Sequence, residues 1–213
     1  METNKVKFGI KNCFYSVIST DENGAVTYGT PVAFPGAVSL QLDAQGGEPE
    51  PFYADDIIYY QSPGANNGYS GTFEVARVID QFHIDILGDV LDSNNMLVED
   101  AEAVSKSFAL ICEFKNDKHQ TRHVLYNCTA SRPQFGSTTI EATAQPQTES
   151  LTITAIPQAF GTGDEKRQIV KAKANQTDSP TQYAAWFESV QEPAFNSQAN
   201  NAGDNENTDA PGV

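Results

Sequence analysis

AVSLQLDAQGGEPEPFYADDIIYYQSPGANNGYSGTFEVARV, residues 37–78, decides the fold. Val38, Leu40 and Leu42 alternate with Ser39, Gln41 and Asp43, the period-two pattern of a strand with one buried and one wetted face. Residues 57–60 (IIYY) do not alternate, so this strand needs cover on both faces, or on one face from another molecule. Residues 72–78 (TFEVARV) supply a third strand. The two connections, QGGEPEPFYADD and SPGANNGYSG, exceed the usual hairpin loop, and loops of such length are functional or disordered. Their aromatics, Phe52, Tyr53 and Tyr69, argue for function.

The 213 residues suffice for one domain with a proper core. The formal charge of −15 is unevenly placed: residues 12–105 hold 15 acids against one base, Arg77. So acidic a half repels phosphate backbones and argues against a specific nucleic-acid reader, although nucleic acid could pass by unbound. METNKVKFGI lacks the apolar core of an export signal, and no apolar run nears the roughly 20 residues of a membrane span. A soluble protein is expected. Cys13, Cys112 and Cys128 are an odd number with no CxxC, which favours free thiols.

Outside the central stretch, residues 5–10 and 13–18 read as two short strands, or as an extended arm leading into one, and residues 21–24 (DENG) as a turn. Pro31 and Pro35 limit residues 28–34 to an edge strand. Asp80 is placed to cap a helix over residues 80–87 with Phe82 and Ile86 on one side, Ile79 and Ile84 as a staple and Gly88 as its stop. Residues 105–114 and 121–131 form a hairpin, and residues 138–144, 150–156 and 168–174 are further strands. In SLTITAI, Leu151, Ile153 and Ala155 face one way. Tyr183, Trp186, Phe187 and Val190 make an apolar stripe on a second helix, residues 181–190, ended by Pro193. The final residues, 194–213, are too polar to offset ordering entropy and are expected to be disordered. The sum is a mainly β protein, a β-sandwich or open barrel with a flanking α-helix.

Chemistry-bearing motifs are scarce. Cys112, His119, His123 and Cys128 have a spacing foreign to common zinc modules, and four residues of offset along a strand separate the cysteines by roughly 13 Å. Asp55 and Asp56 are adjacent, so in a strand they point to opposite faces and form no acid/base pair. With no nucleophile elbow, Walker loop or HExxH, an enzyme is not expected, nor a cofactor. Lys166, Arg167, Lys171 and Lys173 cluster on one segment. Three of them, Arg167, Lys171 and Lys173, are expected on one strand face, either as an edge-strand device or as a contact with the acidic half of a second copy. Trp186 belongs either to the core or to an interface.

Taken in order, KVKFGIKNCFYS (5–16), YGTPVAFPGAVSLQLDAQG (28–46), PFYADDIIYY (51–60), NNGYSGTFEVA (66–76), FHIDILGDVLD (82–92), RHVLYNCTASRP (122–133) and ESLTITAIPQ (149–158) resemble the major tail protein family of long non-contractile-tailed bacteriophages of Gram-positive hosts. The resemblance spans residues 5 to about 190. It implies a tail-tube subunit with an N-terminal arm (1–11), a β-sandwich domain (12–193) with a long inter-strand loop, and a C-terminal tail (194–213). It further implies hexameric rings stacked into a tube in the virion tail, made in the host cytoplasm. The implied partners are other copies of the chain, a tape-measure protein, and tail terminator and distal tail proteins; genomic DNA passes through unbound. On physical grounds the subunit and ring contacts are expected at Val6, Phe8, Phe52, Tyr53, Ile58, Tyr59, Tyr60, Tyr69, Arg167, Lys171, Lys173 and Trp186. Asp43, Asp55, Asp56 and Glu74 are the expected channel-lining acids, whose charge would repel passing DNA. The competing expectation is a carbohydrate- or receptor-binding sandwich, which would gather Phe52, Tyr53, Tyr59, Tyr60 and Tyr69 into one pocket.

Overall fold

The computed structural model describes residues 3–22, 24–139, 146–161 and 166–195. Strands β1 (Lys7–Thr20), β2 (Val26–Tyr28), β3 (Val32–Ala33), β4 (Ala37–Gln45), β5 (Pro51–Ala54), β6 (Ile57–Gln61) and β7 (Gly68–Val75) come first. A helical turn, α1 (Asp80–Phe82), then runs directly into a π-helical segment (His83–Leu87). β8 (Val90–Leu91), β9 (Leu97–Val98), β10 (Phe108–Asn116), β11 (Thr121–Ala130) and β12 (Glu149–Ile156) follow. β13 (Gln158–Phe160), β14 (Arg167–Ile169), β15 (Lys171–Asn175) and α2 (Pro180–Ala185) complete the described chain.

Nine strands form one antiparallel sheet in the order β2-β1-β10-β11-β12-β7-β4, with β3 on β1 and β15 on β11. The long strand β11 divides its outer edge, pairing residues 121–125 with β15 and residues 127–130 with β12. The sheet curls so that its two ends face each other. Leu40 and Leu42 of β4, Phe73 and Val75 of β7, and Leu151, Ile153 and Ala155 of β12 share one core with Tyr15, Leu110 and Leu125. Phe34, Phe82 and Phe108 wedge the opening edge-on, with Phe82 ring centroids 5.0 Å from Phe34 and 5.3 Å from Phe108. A second core covers the other side of the β10–β11 hairpin, where Ile111, Val124 and Tyr126 meet Phe160, Trp186 and Val190. Burial on both faces explains why residues 108–113 (FALICE) are buried without a break.

The expected hairpin at 105–131 is present, as are the inward faces of Leu151, Ile153 and Ala155, all at 0% exposure. Several expectations are corrected. Residues 5–18 form one continuous strand from Lys7, and the interruption is an irregularity at Asn12, whose φ is 49°. Residues 7–11 of the expected arm therefore belong to the sheet, while the Asn4 side chain and the Asp117 carboxylate tie residues 4–6 to the β10–β11 turn. The edge segment 28–34 yields only the short β2 and β3. Val38 lies at a register shift in β4 and is exposed, leaving Leu40 and Leu42 to continue the inward face. Asp80 does not cap its helix: Ile79 holds the N-cap position, and Asp80 pairs instead with Arg77 at 3.2 Å. With Ile79 at the cap, the expected staple spacing is lost. Phe82 and Ile86 are buried as expected, and Gly88 stops the π segment with φ of 84°.

The strand expected over residues 168–174 is broken at Val170. Strict alternation would put Val170, Ala172 and Ala174 on one side, yet Val170 enters the first core while Ala172 and Ala174 enter the second. The stripe on residues 181–190 begins one residue earlier as α2, stops at Ala185, and packs inward: Trp186 is 3% exposed and Phe187 stacks on Phe14. Phe195, placed at the start of the expected tail, packs against the second core beneath the Arg167 guanidinium. Residues 131–139 carry no strand, and the rest of the expected strand 138–144, like residues 196–213, lies outside the described residues.

Gly68 starts β7 with φ of 111°, and a Cβ there would stand 1.9 Å from the Ala155 carbonyl oxygen. Only glycine takes this backbone position without strain. Gly68→Ala is expected to lower the unfolding free energy by about 1–3 kcal/mol in urea titrations, and an unchanged midpoint would contradict this.

Candidate assembly surfaces

β4 and β7 are hydrogen-bonded neighbours down to Gln45 and Gly68, and the 22 residues between them leave the body as a ribbon. β5 and β6 form its outer half, closed by a two-residue turn in which Asp55 and Asp56 both take positive φ, 51° and 61°. That is the I′ conformation matching strand twist, usually encoded by Asn-Gly or Asp-Gly. The long loop expected at residues 45–56 thus contains a strand. Phe52 pairs with Tyr60 and Tyr53 with Ile58, and Tyr59 bulges out as the extra residue.

No ribbon side chain reaches either core. Phe52 and Tyr53 are 61% exposed, Ile57 62%, Ile58 56%, Tyr59 72% and Tyr60 60%. Both faces are thus bare, where the expectation was cover on at least one. A lone two-stranded ribbon is marginally stable in water. Burying the exposed part of each of these six side chains is worth about 1–2 kcal/mol before the costs of ordering and association. Val6 and Phe8, on β1 and the segment leading into it, are also exposed, at 51% and 69%. A smaller ribbon, β8–β9, exposes Val90, Leu91, Met96, Leu97 and Val98. The apolar pairs flanking Ser93-Asn94-Asn95 were the available sequence signal for it.

The outward face of β4, β7, β12 and β11 is of opposite character. Pairing aligns Ser39, Gln41 and Asp43 with Glu74, Thr72 and Ser70, and continues through Ser150, Thr152 and Thr154 to Thr129. Ser70 and Thr154 hydroxyls lie 3.3 Å apart, and Glu74 accepts hydrogen bonds from Ser39 at 3.1 Å and Thr148 at 2.6 Å. Asp43 and Glu74 therefore share a face with a row of hydroxyls, whereas Asp55 and Asp56 sit apart at the ribbon tip.

The expected cationic cluster is likewise divided. Arg167 stacks on Phe195 at 4.7 Å beside the second core. Lys171 and Lys173 instead join Lys7 around an open cavity of about 470 Å³ whose lining includes Leu40, Leu42, Tyr69 and Phe114. Lys171 lies over the Tyr69 ring at 4.2 Å, so Tyr69 is a half-buried wall of the body and does not join the ribbon aromatics in a pocket. His123 lines the same cavity. Burial, then the charges of Lys173, Lys171 and Lys7, push its pKa down to about 4, which keeps the imidazole neutral at pH 7.

The sulfur and carboxylate groups inside the body are structural. Burial pushes the Cys13 and Cys128 thiols up to about 12 and raises Cys112 as well, so all three stay protonated. Cys112 pairs with His123 and Cys128 with Phe108, at separate points along the hairpin. Glu113, 1% exposed, receives Lys11 at 3.0 Å and Arg122 at 2.8 Å, and Arg122 is held between the Tyr183 and Phe187 rings. Asp89, 4% exposed, joins His83 at 2.8 Å and Arg132 at 2.6 Å, while Arg132 also reaches Glu99, fastening the β8–β9 excursion to the body.

Sequence comparison finds no matching protein family and no matching curated protein. Among the described residues no helix is long and apolar enough to cross a membrane.

Burial by itself would raise the Asp89 carboxyl, but hydrogen bonds and charge from Arg132 and His83 outweigh it and hold the pKa below the ordinary carboxylate value of 3.8. Because the folded value is depressed, this stabilisation is present above pH 3.8 and is lost as pH falls through the folded-state value. Arg132→Ala is expected to cost roughly 3 kcal/mol at pH 7 by leaving the buried Asp89 carboxylate with His83 as its one remaining side-chain partner among the described residues. The gap from the natural chain should shrink in urea titrations near pH 3, and an equal gap at both pH values would contradict the assignment.

Proposed function

We propose that this chain is the repeating subunit of a hollow tube, the tail tube of a long non-contractile-tailed bacteriophage, built from stacked hexameric rings in the virion. The observation that carries the reading is the β5–β6 ribbon, six large apolar side chains on an element that its own chain leaves bare. Exposed apolar surface of this extent marks an interaction site. The order of the resembling segments supports this identity for the assembly, and the mainly β, sandwich-like body is compatible with it.

In this reading the hydroxyl-rich face carrying Asp43 and Glu74 lines the bore. Rows of Ser and Thr with carboxylates but no Lys or Arg offer phosphate neither a cationic hold nor a hydrophobic trap, so DNA slides past unbound. A tape-measure protein would fill the bore before ejection, and terminator and distal tail proteins would cap the tube ends. Ion pairs within the body, such as those of Glu113 with Lys11 and Arg122, then serve the subunit rather than the assembly.

Electron microscopy of purified protein at rising concentration should show rings or tubes. The triple variant Ile58→Ser/Tyr59→Ser/Tyr60→Ser should keep the circular dichroism of the natural chain and remain monomeric. A natural chain that stays monomeric throughout would overturn the proposal. In phage particles, Asp43→Asn with Glu74→Gln should leave tubes intact and slow DNA ejection, whereas unchanged ejection kinetics would count against the repulsive bore.

A further inference from the structure

The ribbon and the cation-lined cavity are complementary in charge and in apolar surface. Residues 46–67 contain four acids, Glu48, Glu50, Asp55 and Asp56, and no base. Asp55 and Asp56 stand at the extreme tip between Ala54 and Ile57, with Tyr53 one residue further back along β5. The cavity presents Lys7, Lys171 and Lys173 around a mixed lining in which Leu40, Leu42 and Phe114 lie among Asn4, Asn116 and Thr121. Among the described residues none of these lysines forms an ion pair with a carboxylate. Lys171 lies over the Tyr69 ring and Lys7 over the Phe114 ring, but in a chain of net charge −15 three cations without a carboxylate partner among the described residues, gathered at one opening, are a local exception that an acidic group would satisfy.

The tip does not fill the cavity of its own chain. Leu42 and Tyr69 of the cavity lie beside the ribbon root at Gln45 and Gly68, and about ten residues at 3.3 Å each carry the tip roughly 30 Å outward. Its flanking side chains remain exposed there.

We propose that the cavity receives the ribbon tip of a second copy, with Asp55 and Asp56 entering among Lys7, Lys171 and Lys173 while Tyr53 and Ile57 cover Leu40 and Phe114. The inference rests on the self-assembly proposed above and names the surface that answers the ribbon. Donor and receiver are different patches, so the contact is head-to-tail. Such a contact repeats into a closed ring or an open stack and does not stop at a dimer. The charges fix register and exclude misdocked copies, and the apolar contacts supply most of the affinity.

The test uses two complementary measurements on the full chain. Asp55→Asn/Asp56→Gly keeps a favoured I′ turn, so the ribbon retains its shape while losing its charge. This variant, and separately Lys171→Glu/Lys173→Glu, should raise the concentration needed for assembly at least about tenfold in sedimentation experiments. Mixing an Ala54→Cys copy with a Lys171→Cys copy under mild oxidation should give disulfide-linked pairs of the two variants, since the three natural thiols are buried. If the natural chain assembles while both charge variants assemble equally well and no mixed disulfide forms, the docking assignment is overturned and self-assembly stands. A natural chain monomeric at every concentration overturns both.

Discussion

Two strands by themselves cannot bury a side chain. A ribbon satisfies its backbone through one ladder of hydrogen bonds, but both of its faces stay in water unless a third layer arrives. Residues 51–61 of this chain obey that constraint with the wrong side chains for water: phenylalanine, tyrosine and isoleucine on every side. The constraint organises the rest of the account, because the body that holds the ribbon is already finished without it.

The body closes itself by two devices. The curled sheet meets its own far end across the first core, with Phe34 and Phe82 plugging the seam. Phe160 of β13, Ala172 and Ala174 of β15, and Trp186, Val190 and Phe195 then cover the other side of the β10–β11 hairpin and seal the second core. Among the described residues the buried charges are paired, Glu113 between two bases and Asp89 between His83 and Arg132. Against this self-sufficiency, the two bare ribbons and the hydroxyl-covered sheet face stand out as surfaces with nothing to do inside one molecule. Net acidity adds a second constraint, since copies carrying −15 each repel at long range and need local cationic spots to approach in register.

Much of this was legible in the sequence. Alternation in SLTITAI and in residues 39–43 placed the inward and outward faces, and the unbroken apolar run at residues 57–60 marked a strand wanting cover. Other features were not legible, for physical reasons. Asp-Asp is a rare occupant of a I′ turn, so the local pattern there is that of a loop followed by a single strand. QIVKAKA alternates without fault, yet the chain crosses from one core to the other at Val170, a choice that tertiary packing imposes. The same crossing separates Arg167 from Lys171 and Lys173. Trp186 sat on a stripe whose pattern is the same whether it faces a core or a partner. The cavity draws Lys7 and Lys171 together from opposite ends of the chain, and short-range pattern carries no trace of such a meeting.

Amide hydrogen exchange on dilute and concentrated protein tests the central claim most directly, because it reads ribbon and body in one experiment. In dilute protein, residues 51–61 should exchange rapidly while residues 108–113 and 124–128 are strongly protected; on assembly, the ribbon amides should become protected and the body should change little. A ribbon equally protected at both concentrations would show that its side chains find their cover within a single chain, and the account would fail.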